Sequence, residues 1–441
     1  MTDQPFLPAV KEQYESFPYP PREPADELQR LIHSVPASLL AINHHCFNGR
    51  RDFRAGFRVL VAGGGTGDAV IFLAEQLRHC DAEVVYLDMS CASRDVAEAR
   101  ARVRRLTNIT WVTASIMDLP RLGLGLFDYI ECTGVLHHLE STEAGLAALN
   151  AVLKDDGAIF LMLYGKYGRQ AIYDMQALLR SYLPPSASMP EKIRLTRELL
   201  AALPPSNSFI RDLDASGWEI SAEGFGDAGL YDLLLHSQDR CFDVPGIYAL
   251  ARSAGLHMLG FAWRAADYEP ANLVSHPDIH KRLALFDLPR RHALAEVFIG
   301  NMRTHEFFLA RQPGRSASLE DDDNALRSYG ALLFAAPRLA AAMEPGTGRV
   351  LRFDERGVTL EVPCTPIAKV IYSHMDGQTS IRELRGKIAQ MVPGATPAAI
   401  HQELQATYGQ LHPRGCLYLI RTGDYGVTVP DYERLFTTRP Q

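Results

Sequence analysis

The sequence lacks the features that would assign it to a membrane, secreted or disulfide-stabilised class of protein. No apolar run approaches the roughly 20 residues that cross a bilayer. The N-terminus has no basic start followed by an apolar stretch, as an export signal would have. The seven cysteines include no pair at the two-residue separation of zinc and redox motifs, so free thiols are expected. We therefore expect a cytoplasmic protein with no membrane partner.

Positive charge is also in short supply. Lys and Arg total 45 against 52 for Asp and Glu, which gives a net charge of -7. This balance provides no general attraction to a phosphate backbone, so no nucleic-acid partner is predicted. The local basic cluster from Arg100 to Arg105 is interpreted as the solvated face of a helix that spans residues 94–106.

The chain is long enough to form more than one domain. At 441 residues it exceeds the size at which a single hydrophobic core usually stops growing. Composition predicts an N-terminal segment rich in proline and aromatic residues, an α/β core, a mostly helical region, a linker and a C-terminal domain. The boundaries predicted for these five parts are 1–50, 51–165, 166–311, 312–324 and 325–441.

The core shows the alternation that is typical of a doubly wound α/β fold. Short apolar runs alternate with amphipathic helices, which predicts a Rossmann-like parallel sheet covered by helices on both faces. The predicted strands are 58–62, 83–87, 109–113, 129–132 and 158–163, and the predicted helices are 69–77, 93–106 and 142–153.

The remaining regions give weaker patterns. Residues 166–310 are predicted to be mostly helical, as a lid or substrate region, and the acidic run Glu320–Asp323 in the linker is interpreted as solvated. After an apolar helix at 326–342, the C-terminal domain is predicted to be small and winged-helix-like. Its elements are a strand at 358–362, helices at 367–375, 380–391 and 398–411, and a strand at 416–420.

A glycine-rich loop, Gly63-Gly64-Gly65-Thr66-Gly67, lies between the first predicted strand and helix. Glycines permit a tight turn there and let a ligand approach the backbone closely. The spacing is tighter than in dinucleotide-binding loops. Asp88 ends the second predicted strand, where a carboxylate accepts hydrogen bonds from both hydroxyls of a ribose; the alternative is a helix cap. Asp118, after the third strand, is placed to accept from an adenine amino group between walls formed by Ile116 and Met117, or is a plain loop residue.

Together these residues resemble the class I methyltransferase family, which uses S-adenosylmethionine. The resemblance covers residues 57–165 and implies that the cofactor is bound by Gly63, Gly65, Gly67, Asp68, Asp88, Met89, Met117, Asp118 and Thr133. One position departs from the family pattern, because Val61 stands where an acidic residue is common two residues before the first glycine. Asp68 is the neighbouring candidate to replace that contact with the methionine end.

The segment Glu131–Leu139 resembles the one that many small-molecule and some protein methyltransferases place beside the cofactor's methyl group. It makes His137 and His138 candidates for taking a proton from the acceptor. The alternative is that one histidine packs beneath the cofactor while the other lines the pocket. Metal binding is not predicted, because adjacent histidines project to different sides and no carboxylate has a ligand-like spacing. The segment also lacks the Asn/Asp-Pro-Pro-Tyr/Phe signature of methyltransferases that act on base amines and glutamine amides.

Two flanking segments resemble a bacterial methyltransferase group, some members of which carry tetratricopeptide repeats. The first is Gln13–Arg22, whose Tyr14, Phe17 and Tyr19 are predicted either to close over the active site or to form a hydrophobic strap on the core. The second is Asp232–Phe242. Within it His236 is a candidate base with Asp232 or Asp239 orienting its ring, and a capping network is the alternative.

The C-terminal stretch Thr365–Leu384 resembles winged-helix domains that recognise precursor peptides and the accessory domain of certain bacterial protein-lysine methyltransferases. Packing or dimerisation is the alternative role, and a homodimer is left open. The sequence therefore predicts methyl transfer to a nitrogen or oxygen nucleophile, with a peptide or protein side chain ahead of a small molecule of secondary metabolism. The alternative of another class is a regulatory pseudoenzyme that binds the cofactor without turnover, for which Val61 is the hint.

Overall fold

The computed structural model describes residues 8–423, apart from 213–216, 218, 222, 263, 356 and 357. The N-terminal segment carries short helices, as the sequence predicts. Helix α1 spans Pro8–Ser16, a 3-10 turn follows at Pro24–Leu28, and helix α2 spans Leu39–Cys46.

The α/β core lies close to where the sequence places it. Most predicted elements differ from the observed ones by a few residues at their ends, and the largest difference is an earlier start of the fifth strand. The elements are β1 (Ala55–Ala62), α3 (Asp68–Gln76), β2 (Asp81–Asp88), α4 (Cys91–Arg104), β3 (Ile109–Thr113), β4 (Phe127–Thr133), α5 (Thr142–Ala151) and β5 (Leu153–Tyr164).

The region predicted to be helical also contributes two strands to the core sheet. The region is mostly helical, as predicted, but the two strands were not foreseen because they are short apolar runs among long helical patterns, and periodicity alone does not separate them from buried helix segments. The elements are α6 (Gln170–Tyr182), α7 (Met189–Ala202), α8 (Ser208–Arg211), α9 (Gly226–Leu230), α10 (Val244–Ser253), β6 (His257–Phe261), α11 (Pro277–Leu283), α12 (Leu288–Ile299) and β7 (Thr304–Ala310).

The resulting sheet has seven strands in the order β3-β2-β1-β4-β5-β7-β6. Strands β1 to β5 are parallel, as predicted, but β7 runs antiparallel to both β5 and β6. The Rossmann-like sheet is thus confirmed, and the purely parallel one is corrected to a mixed sheet. The strand order reverses between β1 and β4, and in such sheets the carboxyl ends of the strands at that point form a ligand crevice.

The C-terminal domain begins with a strand where the sequence predicted the start of a helix. Residues 324–328 form the central strand of a three-stranded antiparallel sheet, so the predicted helix begins only at Leu332. The winged-helix character of the domain stays a prediction. The elements are β8 (Asn324–Ser328), α13 (Leu332–Ala342), β9 (Val350–Glu355), β10 (Val358–Pro363), α14 (Pro366–Ser373), β11 (Asp376–Ser380), α15 (Ile381–Met391), α16 (Pro397–Leu411) and β12 (Leu417–Arg421).

The acidic run in the linker is ion-paired rather than simply solvated. Asp321 pairs with Arg50 of the N-terminal segment at 2.5 Å, and Asp322 pairs with Arg385 on α15. Backbone bonds join the same regions, since the amide of Arg421 at the end of β12 donates to the carbonyl of Gly49 over 2.8 Å. These contacts fasten the C-terminal domain to the segment that follows α2.

The basic cluster on α4 is half covered, because Arg100 and Arg104 lie under the N-terminal segment while Arg102 and Arg105 are exposed. The side chain of Arg100 is only 1% exposed and pairs with Glu27 at 2.6 Å and with Asp68 at 2.8 Å. Arg104 pairs with the same Glu27. The prediction of a solvated face was wrong for these two arginines because the N-terminal segment lays its buried carboxylate over them. Within the described part of the chain, no helix is long and apolar enough to cross a membrane.

Candidate active site

A cavity of about 780 Å³ opens at the carboxyl ends of β1, β2 and β4, where the strand order reverses. It brings together residues that the sequence analysis selected from distant parts of the chain. Of the fifteen residues predicted for the site, eight line this cavity: Tyr14, Gly63, Gly65, Asp88, Met89, Met117, Thr133 and His138.

Seven predicted residues lie outside that lining, although all of them are among the described residues. Two of them lie in the packed start of α3, one caps a turn, two are histidines behind the cavity lining, and two are aromatic residues of the N-terminal segment. They are Gly67, Asp68, Asp118, His137, His236, Phe17 and Tyr19.

The glycine loop has a backbone that side chains would not fit. Gly63 has φ of 76°, and a Cβ there would lie 2.4 Å from the Val135 side chain. Gly65 has φ of 49°, and a Cβ there would lie 2.7 Å from the carbonyl oxygen of Tyr19. Only glycine combines this conformation with such close approach. The loop therefore presents bare backbone to the cavity.

Gly67 and Asp68 have structural roles at the start of α3. A Cβ on Gly67 would lie 2.9 Å from the Cβ of Ala97, so this glycine permits close packing of α3 on α4. The Asp68 carboxylate is held by Arg22 at 2.6 Å and by Arg100 at 2.8 Å. Burial raises the pKa of Asp68, but the two guanidinium groups outweigh burial and hold it below its ordinary value. Val61 stands where the family commonly has an acidic residue. Asp68 does not take over that role, because its carboxylate is used in these ion pairs.

Asp88 ends β2 with its carboxylate at the cavity. One oxygen accepts from the amide of Gly65 at 2.8 Å and the other from the amide of Ser90 at 2.8 Å. A carboxylate oxygen has two lone pairs, so each oxygen keeps one for a ligand hydroxyl. Burial raises the pKa of Asp88, which the amide of Ser90 and then that of Gly65 oppose. This geometry suits two neighbouring hydroxyls such as those of a ribose.

The next stretch of the wall is apolar, and Asp118 is not part of it. Ile116 and Met117 line the cavity. The Asp118 carboxylate caps the same turn by accepting from the amide of Ser115 at 3.3 Å, and it pairs with Arg121 at 2.6 Å. Asp118 does not line the cavity, and its predicted contact with an adenine amino group stays a prediction.

These features fit S-adenosylmethionine, the cofactor that the sequence resemblance implies. Gly63 and Gly65 line the cavity without side chains, Asp88 offers acceptors for two hydroxyls, and Met117 supplies an apolar surface for a purine ring. We call Gly63, Gly65, Asp88 and Met117 the glycine wall.

His137 and His138 have different surroundings. His137 is fully buried and stacks on Tyr164 with ring centroids 3.8 Å apart, and neither of its ring nitrogens has a hydrogen-bond partner among the described residues. His138 lines the cavity, and its Nδ1 lies 2.8 Å from the carbonyl oxygen of Gln238. A carbonyl only accepts, so Nδ1 carries the proton and Nε2 keeps a free lone pair.

A chain of hydrogen-bonded residues packs against His138. The ring of His138 stacks on that of His236 with centroids 3.8 Å apart. Nδ1 of His236 accepts from the amide of Gln238 at 3.1 Å, so its Nε2 carries the proton and faces the Tyr14 hydroxyl at 3.3 Å. The Tyr14 hydroxyl donates to Asp232 at 3.0 Å. We call Tyr14, His138, Asp232 and His236 the histidine wall.

Burial determines the charge of this wall. It lowers the pKa of His138 and of His236, so both rings are neutral near neutral pH. Burial raises the pKa of Asp232 to about 7, which the hydrogen bond from Tyr14 opposes. A neutral imidazole with a free Nε2 is a proton acceptor, so His138 is placed to take a proton from a ligand in the cavity.

The histidine wall also brings three candidate metal-ligating atoms within 4.8 Å of one another, on His138, Asp232 and His236. No carboxylate has a ligand-like spacing in the sequence, and the fold supplies one. His236 uses both ring nitrogens in hydrogen bonds, and Asp232 accepts from Tyr14 and from Gln13 at 3.3 Å. We describe the group by these hydrogen bonds, and the absence of a metal here stays a prediction.

The other N-terminal aromatics anchor the segment that carries Tyr14. Phe17 stacks on Tyr231 with centroids 5.6 Å apart, and the Tyr19 hydroxyl donates to Glu219 at 2.9 Å. Asp239, the other carboxylate considered for His236, accepts instead from Tyr173 at 3.0 Å and from Gln176 at 3.1 Å.

Glu15 was not predicted as a functional residue, although it lies within the motif Gln13–Arg22. The Glu15 carboxylate accepts from the amides of Cys91 and Ala92 at 2.8 and 3.1 Å, at the start of α4. A carboxylate is favourable at a helix N-terminus, where backbone amides lack partners. Its place directly after Tyr14 was the available signal. Glu15 thus fixes α1 beside the glycine wall.

Comparisons with known proteins agree with this geometry. Residues 60–159 match the model of a methyltransferase domain family. An uncharacterized protein of Synechococcus is 29% identical over 325 residues, which cover 73% of this chain and 75% of that protein. The tRNA 5-carboxymethoxyuridine methyltransferase of Escherichia coli is 27% identical over 190 residues, which cover 42% of this chain and 69% of that enzyme.

Among solved structures, PKMT2 from Rickettsia typhi in complex with AdoHcy has a similar fold, with a TM-score of 0.61 and 16% identity. The likeness covers 88% of this chain and 76% of that one, so it extends into the C-terminal domain. With the matched family, the strand order and the glycine wall taken together, the chain carries a class I methyltransferase domain, and its cofactor is S-adenosylmethionine.

Proposed function

We propose that this protein methylates a nitrogen or oxygen nucleophile, preferentially on a peptide or protein side chain, with His138 removing the acceptor's proton. The cofactor supplies a methyl group on a positively charged sulfur that leaves as a neutral thioether, so activating the acceptor is the protein's main chemical task. The observation that carries the proposal is the free Nε2 of a neutral His138 at the cavity lining.

The rest of the histidine wall supports that role by holding His138 in place. The Gln238 carbonyl fixes its tautomer, and the stacked ring of His236 limits its rotation. Tyr14 lines the cavity beside His138, and its hydroxyl is already bonded on the far side to Asp232. Protonation of His138 would place a positive charge near Asp232, and the pKa of about 7 lets Asp232 ionise near neutral pH. An adjacent carboxylate stabilises such an imidazolium.

The C-terminal domain supports a peptide or protein acceptor over a free metabolite. It is fastened to the N-terminal segment by the hydrogen bond from the amide of Arg421 to the carbonyl of Gly49, and the fold of PKMT2 spans both parts of this chain. The stretch around Thr365–Leu384 resembles domains that bind peptides. The Escherichia coli relative is named for a tRNA substrate, but the net charge of -7 gives no general attraction to nucleic acid.

Incubating the protein with methyl-labelled S-adenosylmethionine and a bacterial lysate tests the acceptor class directly. The lysate is then separated into protein, RNA and small-molecule fractions, and label is expected in protein. Label confined to RNA or to small molecules would contradict the preferred acceptor while leaving methyl transfer intact. Cofactor binding without label in any fraction would favour the alternative of a regulatory protein that does not turn over.

A further inference from the structure

A second cluster of histidines lies far from the cavity, between the N-terminal segment and the C-terminal domain. His44 and His45 are in the last turn of α2, and His412 directly follows α16. The ring centroids of His44 and His412 are 4.3 Å apart, and those of His44 and His45 are 4.8 Å apart. One ring nitrogen of each lies within 4.8 Å of the others, which is the arrangement expected around a common ligand.

The hydrogen bonds of two of these rings are of the kind found behind metal ligands. Nδ1 of His412 lies 2.9 Å from the carbonyl oxygen of Leu417, and Nδ1 of His44 lies 3.2 Å from that of Leu419. Metal-ligating histidines usually donate one ring N–H to such a carbonyl, which fixes the ring and leaves the other nitrogen to the metal. The Leu419 amide also lies 3.0 Å from the His44 Nδ1 and serves the alternative tautomer.

A fourth polar atom stands at the same place. The Tyr408 hydroxyl lies 3.2 Å from Nε2 of His44, and the Tyr408 ring stacks on His412 with centroids 4.7 Å apart. His45 is held by stacking on Phe308 with centroids 4.6 Å apart. The three histidine nitrogens form the candidate ligand set, and zinc would replace the hydrogen bond between Nε2 of His44 and the Tyr408 hydroxyl.

One side of the cluster is open to solvent. His412 is only partly buried, which leaves a path for an ion.

We propose that His44, His45 and His412 bind a zinc ion that fastens helix α2 to the C-terminal domain. Three imidazoles without a carboxylate suit zinc, which prefers nitrogen and sulfur ligands in tetrahedral geometry. Calcium and magnesium prefer oxygen ligands and are disfavoured. Zinc holds ligand nitrogens at about 2.1 Å, so the three rings close slightly around the ion. This site is separate from the cavity and does not depend on the proposed function.

The test measures the zinc content of the full-length, untagged protein by elemental mass spectrometry. The protein is first stripped with EDTA and then dialysed against a low, fixed concentration of free zinc. The wild type is expected to hold equimolar zinc. The variant His412→Gln is expected to hold at least about tenfold less, since loss even of a residue behind a ligand costs that much affinity. His412→Cys retains a ligating atom and is expected to keep the ion. His236→Gln, in the histidine wall, is the matched control and is expected to bind zinc as the wild type does.

Two outcomes would overturn the proposal. One is a wild type that holds no more zinc than His412→Gln. The other is zinc that is lost from His236→Gln and kept by His412→Gln, which would place the ion in the cavity. Should His412→Gln fail to fold, cobalt added to the metal-free wild type decides. The proposal is supported if cobalt gives the visible absorption bands of a tetrahedral site and zinc then abolishes these bands. The absence of the bands contradicts it. The melting temperature is expected to fall on chelation in the wild type and not in His412→Gln.

Discussion

The two walls of the cavity are built in different ways. The glycine wall comes from one stretch of chain between Gly63 and Met117, and its contacts are made largely by backbone, such as the amide of Gly65 on Asp88. The histidine wall collects Tyr14, His138 and His236 from three distant segments, and side chains make most of its contacts. A local sequence motif therefore specifies the first wall, whereas the whole fold specifies the second.

This difference suggests a division of work that experiments can separate. Damage to the glycine wall should weaken cofactor binding, because that wall contains the groups suited to the nucleoside. Damage to the histidine wall should slow methyl transfer while cofactor binding persists. A variant of one wall that impairs both cofactor binding and methyl transfer would contradict this division.

The largest expected effect is that of His138→Gln on the transfer rate. Glutamine keeps a similar size but is not a base, so loss of general-base catalysis should lower the rate by about 10²- to 10⁴-fold at saturating cofactor. Transfer of label to the acceptor fraction measures this, and calorimetry with S-adenosylmethionine should show an unchanged Kd. His137→Phe is the matched control, since His137 is buried outside the lining and stacks on Tyr164. A comparable loss of rate in that control would contradict the assignment.

The next effect is that of Asp88→Ala on cofactor affinity. Hydrogen bonds to a charged group contribute about 1.5–3 kcal/mol, so losing them should weaken the Kd by roughly 10- to 100-fold. Asp118→Ala provides the control in the same region, because the Asp118 carboxylate is used by Ser115 and Arg121. Calorimetry is expected to give this control a Kd near that of the wild type. Equal losses in both variants would instead support the predicted contact of Asp118 with adenine.

Tyr14→Phe should have a smaller effect, of roughly 3- to 10-fold on the rate, because it removes one neutral hydrogen-bonding group and keeps the ring. The hydroxyl links Asp232 to His236, so its loss separates the carboxylate from the stacked histidines. Transfer assays at saturating cofactor measure the change. A loss that appears only as weaker cofactor binding would assign Tyr14 to the glycine wall instead.

The last prediction concerns stability rather than activity, as a dependence of the free energy of unfolding on pH. Burial raises the pKa of Asp232 to about 7, against about 3.9 in an unfolded chain. Between these values the folded protein binds a proton that the unfolded chain does not, so the free energy of unfolding falls as the pH rises. Asp232→Asn removes this contribution, and denaturant titrations from pH 4 to 7 are expected to show a shallower fall than in the wild type. Equal slopes would show that Asp232 is not the buried acid described.

The glycine wall could be predicted from the sequence better than the histidine wall. The glycines and Asp88 were predicted because a loop between a strand and a helix restricts where a ligand can lie. The role of Asp118 could not be predicted as firmly, because its position after a strand is compatible with both a purine contact and the cap that the structure shows. Strand β7 was missed because its pairing with β5 depends on residues that are far away in the chain.

The histidine wall was only partly predictable. His138 and His236 were both candidates, but adjacent histidines in one motif give no sign of which ring lies at a cavity. The choice depends on the Gln238 carbonyl, which fixes the tautomer of His138, and on Tyr164, which covers His137. The cluster of His44, His45 and His412 was not predicted, because more than 350 residues separate its two parts, as the pairing of His44 with Leu419 illustrates.

Chemical rescue of His138→Ala tests the central claim most directly. This variant leaves space beside His236, and added imidazole can supply the missing base. We predict that the variant binds S-adenosylmethionine with the wild-type Kd, transfers methyl groups slowly, and regains rate in proportion to the free imidazole concentration. An unimpaired transfer rate in His138→Ala, or a slow rate that imidazole leaves unchanged while the cofactor binds normally, would contradict the account.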